Sequence, residues 1–128
     1  MREEAELLWG QTLEDLITGK VLLNSKRYYA SVFFSQQAAE KALKALYIEN
    51  KKALPPKTHS LLRLADELDI QHEEVIDALI DLNPEYIVTR YPDAANGIPA
   101  RMYNDRIARE HLEKAEKVIE FCRKKLGI

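Results

Sequence analysis

Tyr28 to Tyr47 reads YYASVFFSQQAAEKALKALY, a run free of Pro and Gly and dense in Ala, Leu and aromatic residues. Ala, Leu, Lys and Gln favour helix, and nothing in the run breaks one. Wound as a helix, its apolar positions do not keep to one stripe. One row holds Tyr29, Phe33, Gln36, Glu40, Leu43 and Tyr47, a second Val32, Ala39, Ala42 and Leu46, and a third Ala30, Phe34 and Ala38. A helix apolar over most of its circumference is a central one, touched by several neighbours. The chain is therefore expected to be a helical bundle built around this segment. Gln36 and Glu40 stand inside an apolar row. Buried amides and carboxylates are costly unless hydrogen-bonded or paired. Both must be satisfied internally, or face a subunit boundary or a cleft.

Working outward, a first helix is expected from Glu3 to Leu23. Trp9, Leu13, Leu16 and Leu23 supply its inner face, and Leu8 and Ile17 widen it. Asn24 closes this helix and Ser25 caps the next, so the two form an antiparallel hairpin. Gly19 inside the first helix points to close packing. The central helix runs on to Lys51, with Gln37, Lys41 and Lys44 on its polar edge. The Pro55-Pro56 loop ends it. Shorter helices follow at His59–Leu68 and His72–Leu82. Ile87 to Met102 is irregular, since Pro92 forces Tyr91 away from helical geometry and Asn96-Gly97 and Pro99 prolong the loop. A last helix spans Asn104 or Asp105 to Leu126. Its inward stripe is Ala108, His111, Leu112, Ala115, Val118, Ile119, Cys122 and Leu126. Its outer face suggests i,i+4 pairs at Arg106–Glu110, Glu110–Lys114, Glu113–Lys117 and Glu120–Lys124.

Bulk properties narrow the class. A chain of 128 residues, 46% hydrophobic and 31% charged, is one domain, 1–128, able to bury a core without disulfides or metals. The net charge of −2 gives no global attraction to nucleic acid, so any such site is local. A lone cysteine, Cys122, excludes an internal disulfide and a multi-Cys zinc site, and fits a reducing cytoplasm. No apolar run nears the ~20 residues that cross a bilayer. No metal-ligand spacing or cofactor-binding loop is present.

Three constellations carry possible chemistry. In Thr89-Arg90-Tyr91-Pro92-Asp93, an Arg can grip a phosphate through paired N–H groups and a Tyr can stack on a base. The structural alternative pairs Arg90 with Glu40 across the bundle. Arg106 and His111 form an R-x4-H spacing, suited to proton transfer and charge stabilisation in metal-independent RNA cleavage. On one helix the two lie about 140° apart, and Arg106 has a simpler partner in Glu110. His59 and His72 read as capping or surface residues, and Cys122 as core.

Phe33 to Leu46, FFSQQAAEKALKAL, followed by Thr58-His59-Ser60-Leu61 and then Thr89-Arg90-Tyr91-Pro92-Asp93, resembles the HEPN domain family of prokaryotes. The last helix, with its Ala, Ala, Ile, Phe rhythm from Ala108 to Phe121, is similar too. The resemblance covers nearly the whole chain. It implies an all-α, antiparallel up-and-down bundle of four long helices plus one shorter helix. It also implies a homodimer, with a small nucleotidyltransferase often encoded alongside. Many members are toxins of toxin–antitoxin pairs that cleave RNA through R-x4–6-H, with a polar residue after the Arg and often a Tyr two residues after the His. The partner blocks the toxin by binding it or by adding AMP to that Tyr. Other members look like nucleotide-binding or interaction modules. Here Ile107 follows Arg106, and Glu113 stands two residues past His111. The implied site is therefore the RYPD loop, with Arg90, Tyr91 and Asp93 binding ligand and Lys41 and Lys44 adding positive charge in a dimer cleft. The expectation is a toxin-like HEPN protein that binds a nucleotide or RNA phosphate and pairs with a nucleotidyltransferase. The alternatives are a non-catalytic dimeric interaction module and a metal-independent ribonuclease using Arg106 and His111.

Overall fold

In the computed structural model, which describes residues 1–128, the central segment is helix α2, Tyr28–Lys51. Ser31, Val32, Ser35, Gln36, Ala38, Ala39, Glu40, Ala42, Leu43, Ala45, Leu46 and Ile48 are all buried on it. Around it stand α1 (Glu3–Asn24), α3 (Leu61–Glu67), α4 (Glu73–Leu82) and α7 (Asp105–Leu126). Between α4 and α7 the chain makes two single turns of helix, α5 (Glu85–Val88) and α6 (Pro92–Ala95), and a 3-10 turn at Pro99–Arg101. The architecture is the expected all-α bundle. Three of its helices are long, and α4 is a shorter element of 10 residues. No helix is long and apolar enough to cross a membrane.

Helices α1 and α2 form the expected antiparallel hairpin. The backbone N–H of Arg2 donates to Glu49 at 2.9 Å, Lys41 reaches Asp15 at 2.7 Å, and Ser31 donates to the Gly19 carbonyl at 2.8 Å. One helix climbs as the other descends. Ser25 does not cap α2. It ends α1, Lys26 takes the left-handed conformation at φ 61°, and Arg27 precedes α2 without a side-chain cap.

The inner face of α1 differs from the expected one. Ala5, Trp9, Thr12, Asp15, Gly19 and Leu23 are buried, whereas Leu13 and Ile17 face outward. Small residues win the interface because α2 also presents Ser and Ala there, and two such surfaces let the backbones approach closely. A Cβ built at Gly19 would lie 3.3 Å from Leu112 Cδ1 and 3.6 Å from the Ser31 carbonyl oxygen. Gly19→Val is therefore expected to lower stability by about 1–3 kcal/mol through overpacking. Gly19→Ala should stay within about 1 kcal/mol of wild type, because its helix propensity offsets a small shift of Leu112. Urea unfolding checks the pair; a neutral Gly19→Val would contradict the tight packing.

Helix α7 begins and ends as its sequence signals. Asn104 accepts from the Ile107 N–H at 2.8 Å, and Gly127 closes the helix at φ 74°. Its buried residues are Ala108, Leu112, Ala115, Val118, Ile119 and Cys122. Only the Arg106–Glu110 pair forms as expected, at 3.2 Å. Lys114 instead reaches Asp81 on α4 at 2.8 Å, and Lys117 reaches Glu74 at 3.7 Å. A neighbouring helix offered these lysines carboxylates closer than those on their own. Asn83 also acts between elements, accepting from the Leu61 N–H at 2.7 Å at the start of α3.

Candidate functional site

Three stretches far apart in sequence meet on one side of α2. The first is α2 itself, through Phe33, Gln36, Glu40 and Lys44. The second is the approach to α3, where Ser60 caps the helix by accepting from the Arg63 N–H at 3.1 Å and leaves His59 beside α2. The third is α5 and the residues after it. Thr89 keeps right-handed helical geometry after α5, so Arg90 stands one turn beyond Tyr86.

Glu40 and Gln36 are both satisfied inside one chain. The Glu40 carboxylate accepts from Lys44 Nζ at 3.1 Å, from Gln36 Nε2 at 3.3 Å, and from His59 Nδ1 at 3.1 and 3.3 Å. A carboxylate only accepts, so the His59 proton on this side sits on Nδ1 and Nε2 is left facing outward. Gln36 also donates to the His59 carbonyl at 3.3 Å and accepts from Gln37 at 2.8 Å. No buried side-chain polar atom of the chain lacks a partner. The polar residues in the apolar row thus tie α2 to the α3 approach.

Arg90 does not pair with Glu40, contrary to the expected cross-bundle bridge. Its Nε donates to the Tyr86 carbonyl at 2.7 Å. Its guanidinium carbon lies 4.1 Å from the Tyr86 ring centroid, 5.1 Å from that of Tyr91 and 5.2 Å from that of Phe33. The His59 ring stacks on Tyr86 at 3.7 Å and 11°. Two groups this close to one centroid cannot share a face, so Tyr86 is sandwiched between imidazole and guanidinium. Cation–π attraction holds Arg90 where a carboxylate was expected to. Arg90 makes no ion pair, and its terminal nitrogens point at no protein acceptor. A shallow cavity of about 260 Å³ lies alongside, lined by His59, Ser60, Asn83, Pro84, Tyr86 and Ile87.

The other sequence-predicted residues fall in different places. Tyr91 and Asp93 are exposed at the start of α6, with Tyr91 against Arg90. Lys41 is held by Asp15 at 2.7 Å and by Gln37 at 3.0 Å, and Lys44 by Glu40. Both ammonium groups already neutralise internal carboxylates, so Arg90 is the open cation of the cluster. Arg106 points to Glu110 on the exposed face of α7. His111 turns inward. Its Nδ1–H donates to the Ile107 carbonyl at 2.8 Å, and its Nε2 stands 3.9 Å from Glu85. Tyr103 also donates to Glu85, and burial together with that hydrogen bond pushes its phenol well above the ordinary range. Arg106 and His111 thus engage different partners on different sides of α7.

Sequence reasoning missed Tyr86, Glu85 and Tyr103. The signal for Tyr86 was its i,i+4 spacing to Arg90, obscured by reading the segment from Ile87 as loop. Glu85 and Tyr103 come together only through the fold.

An all-α bundle whose central helix carries a buried Gln–Glu pair bonded to His59, beside a stacked, unpaired Arg, narrows the class considerably. The family model of the HEPN domain matches residues 5–125, and the chain belongs to the HEPN domain family. It is 30% identical to a protein of Methanocaldococcus jannaschii named Putative toxin MJ1304, over 97% of this chain and 91% of that protein. Among solved structures, TT1696 from Thermus thermophilus is 34% identical over 97% of this chain and 99% of its own, with a TM-score of 0.89. ST0689, an archaeal HEPN homologue, is 26% identical over 97% and 98% of the two chains, with a TM-score of 0.80. A HEPN domain protein of Thermotoga maritima is 28% identical over 94% and 97%, with a TM-score of 0.74.

Proposed function

We propose that this HEPN protein is the toxin-like member of a two-protein pair and that it engages a phosphate of a nucleotide or RNA at Arg90. One observation carries the reading. The Arg90 guanidinium is fixed by its Nε and by three aromatic rings, yet no carboxylate neutralises it. An Arg so placed is oriented in advance for a two-pronged phosphate contact and gives up little side-chain freedom on binding. The exposed Tyr91 ring flanks it, offering a stacking surface. The likeness to Putative toxin MJ1304 supports the toxin-like role. The implied partner is a small nucleotidyltransferase, to be sought as a neighbouring gene product that co-purifies.

Calorimetric titration with ATP and with a short single-stranded RNA tests the reading. Arg90→Ala is expected to weaken binding about 10- to 100-fold, the weight of charge-assisted hydrogen bonds. Arg90→Lys should not restore it, since an ammonium presents no fork. Arg90 is exposed, so circular dichroism should be unchanged. Wild-type protein that binds neither ligand, or Arg90→Ala that binds both as before, would leave the non-catalytic interaction module as the better reading.

A further inference from the structure

At the end of the bundle away from the Arg90 cluster, a cavity of about 380 Å³ opens between the end of α2, the α3–α4 connection and the last turns of α7. Asn50 on its rim lies about 15 Å along α2 from Glu40. Leu46, Leu68, Ile70 and Phe121 supply its apolar side. All four belong to the main core or pack against it, so the hollow is shaped by the fold and not by loose side chains. A second cavity of about 630 Å³ continues past His72, Phe121 and Lys125 and leaves room for a large group. A hollow of this size, apolar on one side with a few polar groups converging on it, has the build of a small-molecule site.

The polar groups select the ligand. Lys125 and Asp69 line the same cavity, yet no ion pair joins them or ties either to another residue. The Lys125 ammonium stands 5.6 Å from the Phe121 ring centroid. Asp69 accepts from Gln71 Nε2 through Oδ1 at 3.1 Å, which leaves Asp69 Oδ2 and Gln71 Oε1 as open acceptors. Asp69 is also fixed in place. Its backbone is left-handed at φ 55°, with its own N–H on the Asp66 carbonyl and the Ile70 N–H on the Ala65 carbonyl, both at 3.0 Å. Opposite charges that share a hollow without meeting suit a ligand that carries both. We propose that this cavity binds a free amino acid with a large apolar or aromatic side chain. Its carboxylate meets the Lys125 ammonium and the Asn50 amide, and its ammonium meets Asp69 and Gln71. Its side chain lies on Phe121, beside the His72 ring that packs against Phe121 at 5.7 Å and 61°. A simple anion would gain Lys125 but face Asp69, and a simple cation the reverse. The proposal is independent of the phosphate reading.

Amide chemical shifts of the full chain, followed by NMR during titration with L-phenylalanine, test it. Signals of Asn50, Asp69, Ile70, Gln71 and Phe121 should move, with a Kd on the order of 1 mM for so small a ligand. Glycine, which has no side chain to bury, should move none of them. Two analogues divide the charges: 3-phenylpropionate lacks the ammonium, and phenylalaninamide lacks the carboxylate. Asp69→Asn should weaken phenylalanine about three- to fivefold, the weight of an exposed ion pair, and leave 3-phenylpropionate unaffected. Asn tolerates the left-handed backbone, so the turn survives the change. Lys125→Ala should weaken phenylalanine by a similar factor and leave phenylalaninamide unaffected. A wild type whose signals stay still at tens of millimolar phenylalanine, or move only elsewhere, would overturn the site. Equal binding of phenylalanine and both analogues, or of phenylalanine to all three proteins, would overturn the pairing of charges on which the ligand class rests.

Discussion

Glu40→Ala should lower the unfolding free energy by about 3 kcal/mol, the scale for removing one member of a buried ion pair. The Glu40 and Lys44 side chains are 6% and 16% exposed, so truncation strands an ammonium with little water around it. His59 contributes less to the loss because half its side chain is solvated. Gln36 adds to it, since its amide loses one of two acceptors. The double replacement Glu40→Leu, Lys44→Leu should recover most of the stability, because no charge is left unpaired. Equilibrium urea unfolding reads both. A single-variant loss under about 1 kcal/mol would show that the network is solvated rather than buried. The loss should also reach the site, because Glu40 holds the imidazole that stacks on Tyr86. Glu40→Ala should therefore weaken any ligand bound at Arg90 even though the two side chains do not touch.

That indirect link explains what the sequence could and could not disclose. The three long helices were legible because each has continuous apolar periodicity and recognisable ends, such as Asn104 and Gly127 on α7. The importance of Gln36 and Glu40 was legible because polar groups inside an apolar row demand an explanation. Of their partners, Lys44 was legible from its i,i+4 spacing to Glu40 on the same helix, and that pair forms at 3.1 Å. His59 was not, because only the α2–α3 connection brings it, rather than Arg90, to Glu40. The exposed side of α1 was misread for a related reason. Both of its faces are moderately apolar, and amphipathicity cannot choose between two apolar faces. The choice falls to shape, since α2 brings the Ser31 backbone and the Phe34 Cβ against Gly19, and Leu13 and Ile17 stay outside. The rejected residues then remain outside.

Alkaline pH should expose the state of the core through Cys122. This thiol is fully buried on α7, and burial pushes its pKa from 9.0 up to about 12. The folded value is raised above the unfolded one, so the unfolded chain gives up its proton first. The stability tied to the neutral thiol is whole below pH 9 and drains away as pH rises toward 12. Between about pH 8 and pH 11 this amounts to roughly 2–3 kcal/mol. Tyr103 acts in the same direction from a higher starting point, its phenol being raised first by burial and then by its bond to Glu85. Cys122→Ala should be somewhat less stable than wild type near neutrality, having lost a sulfur from the core. It should also lose stability less steeply with pH, so the two curves converge or cross on the alkaline side. Tyr103→Phe should flatten only the upper part of the limb. Parallel curves for wild type and Cys122→Ala from pH 8 to 11 would mean that the thiol reaches water, and the close packing of α7 against α2 would have to be abandoned with it.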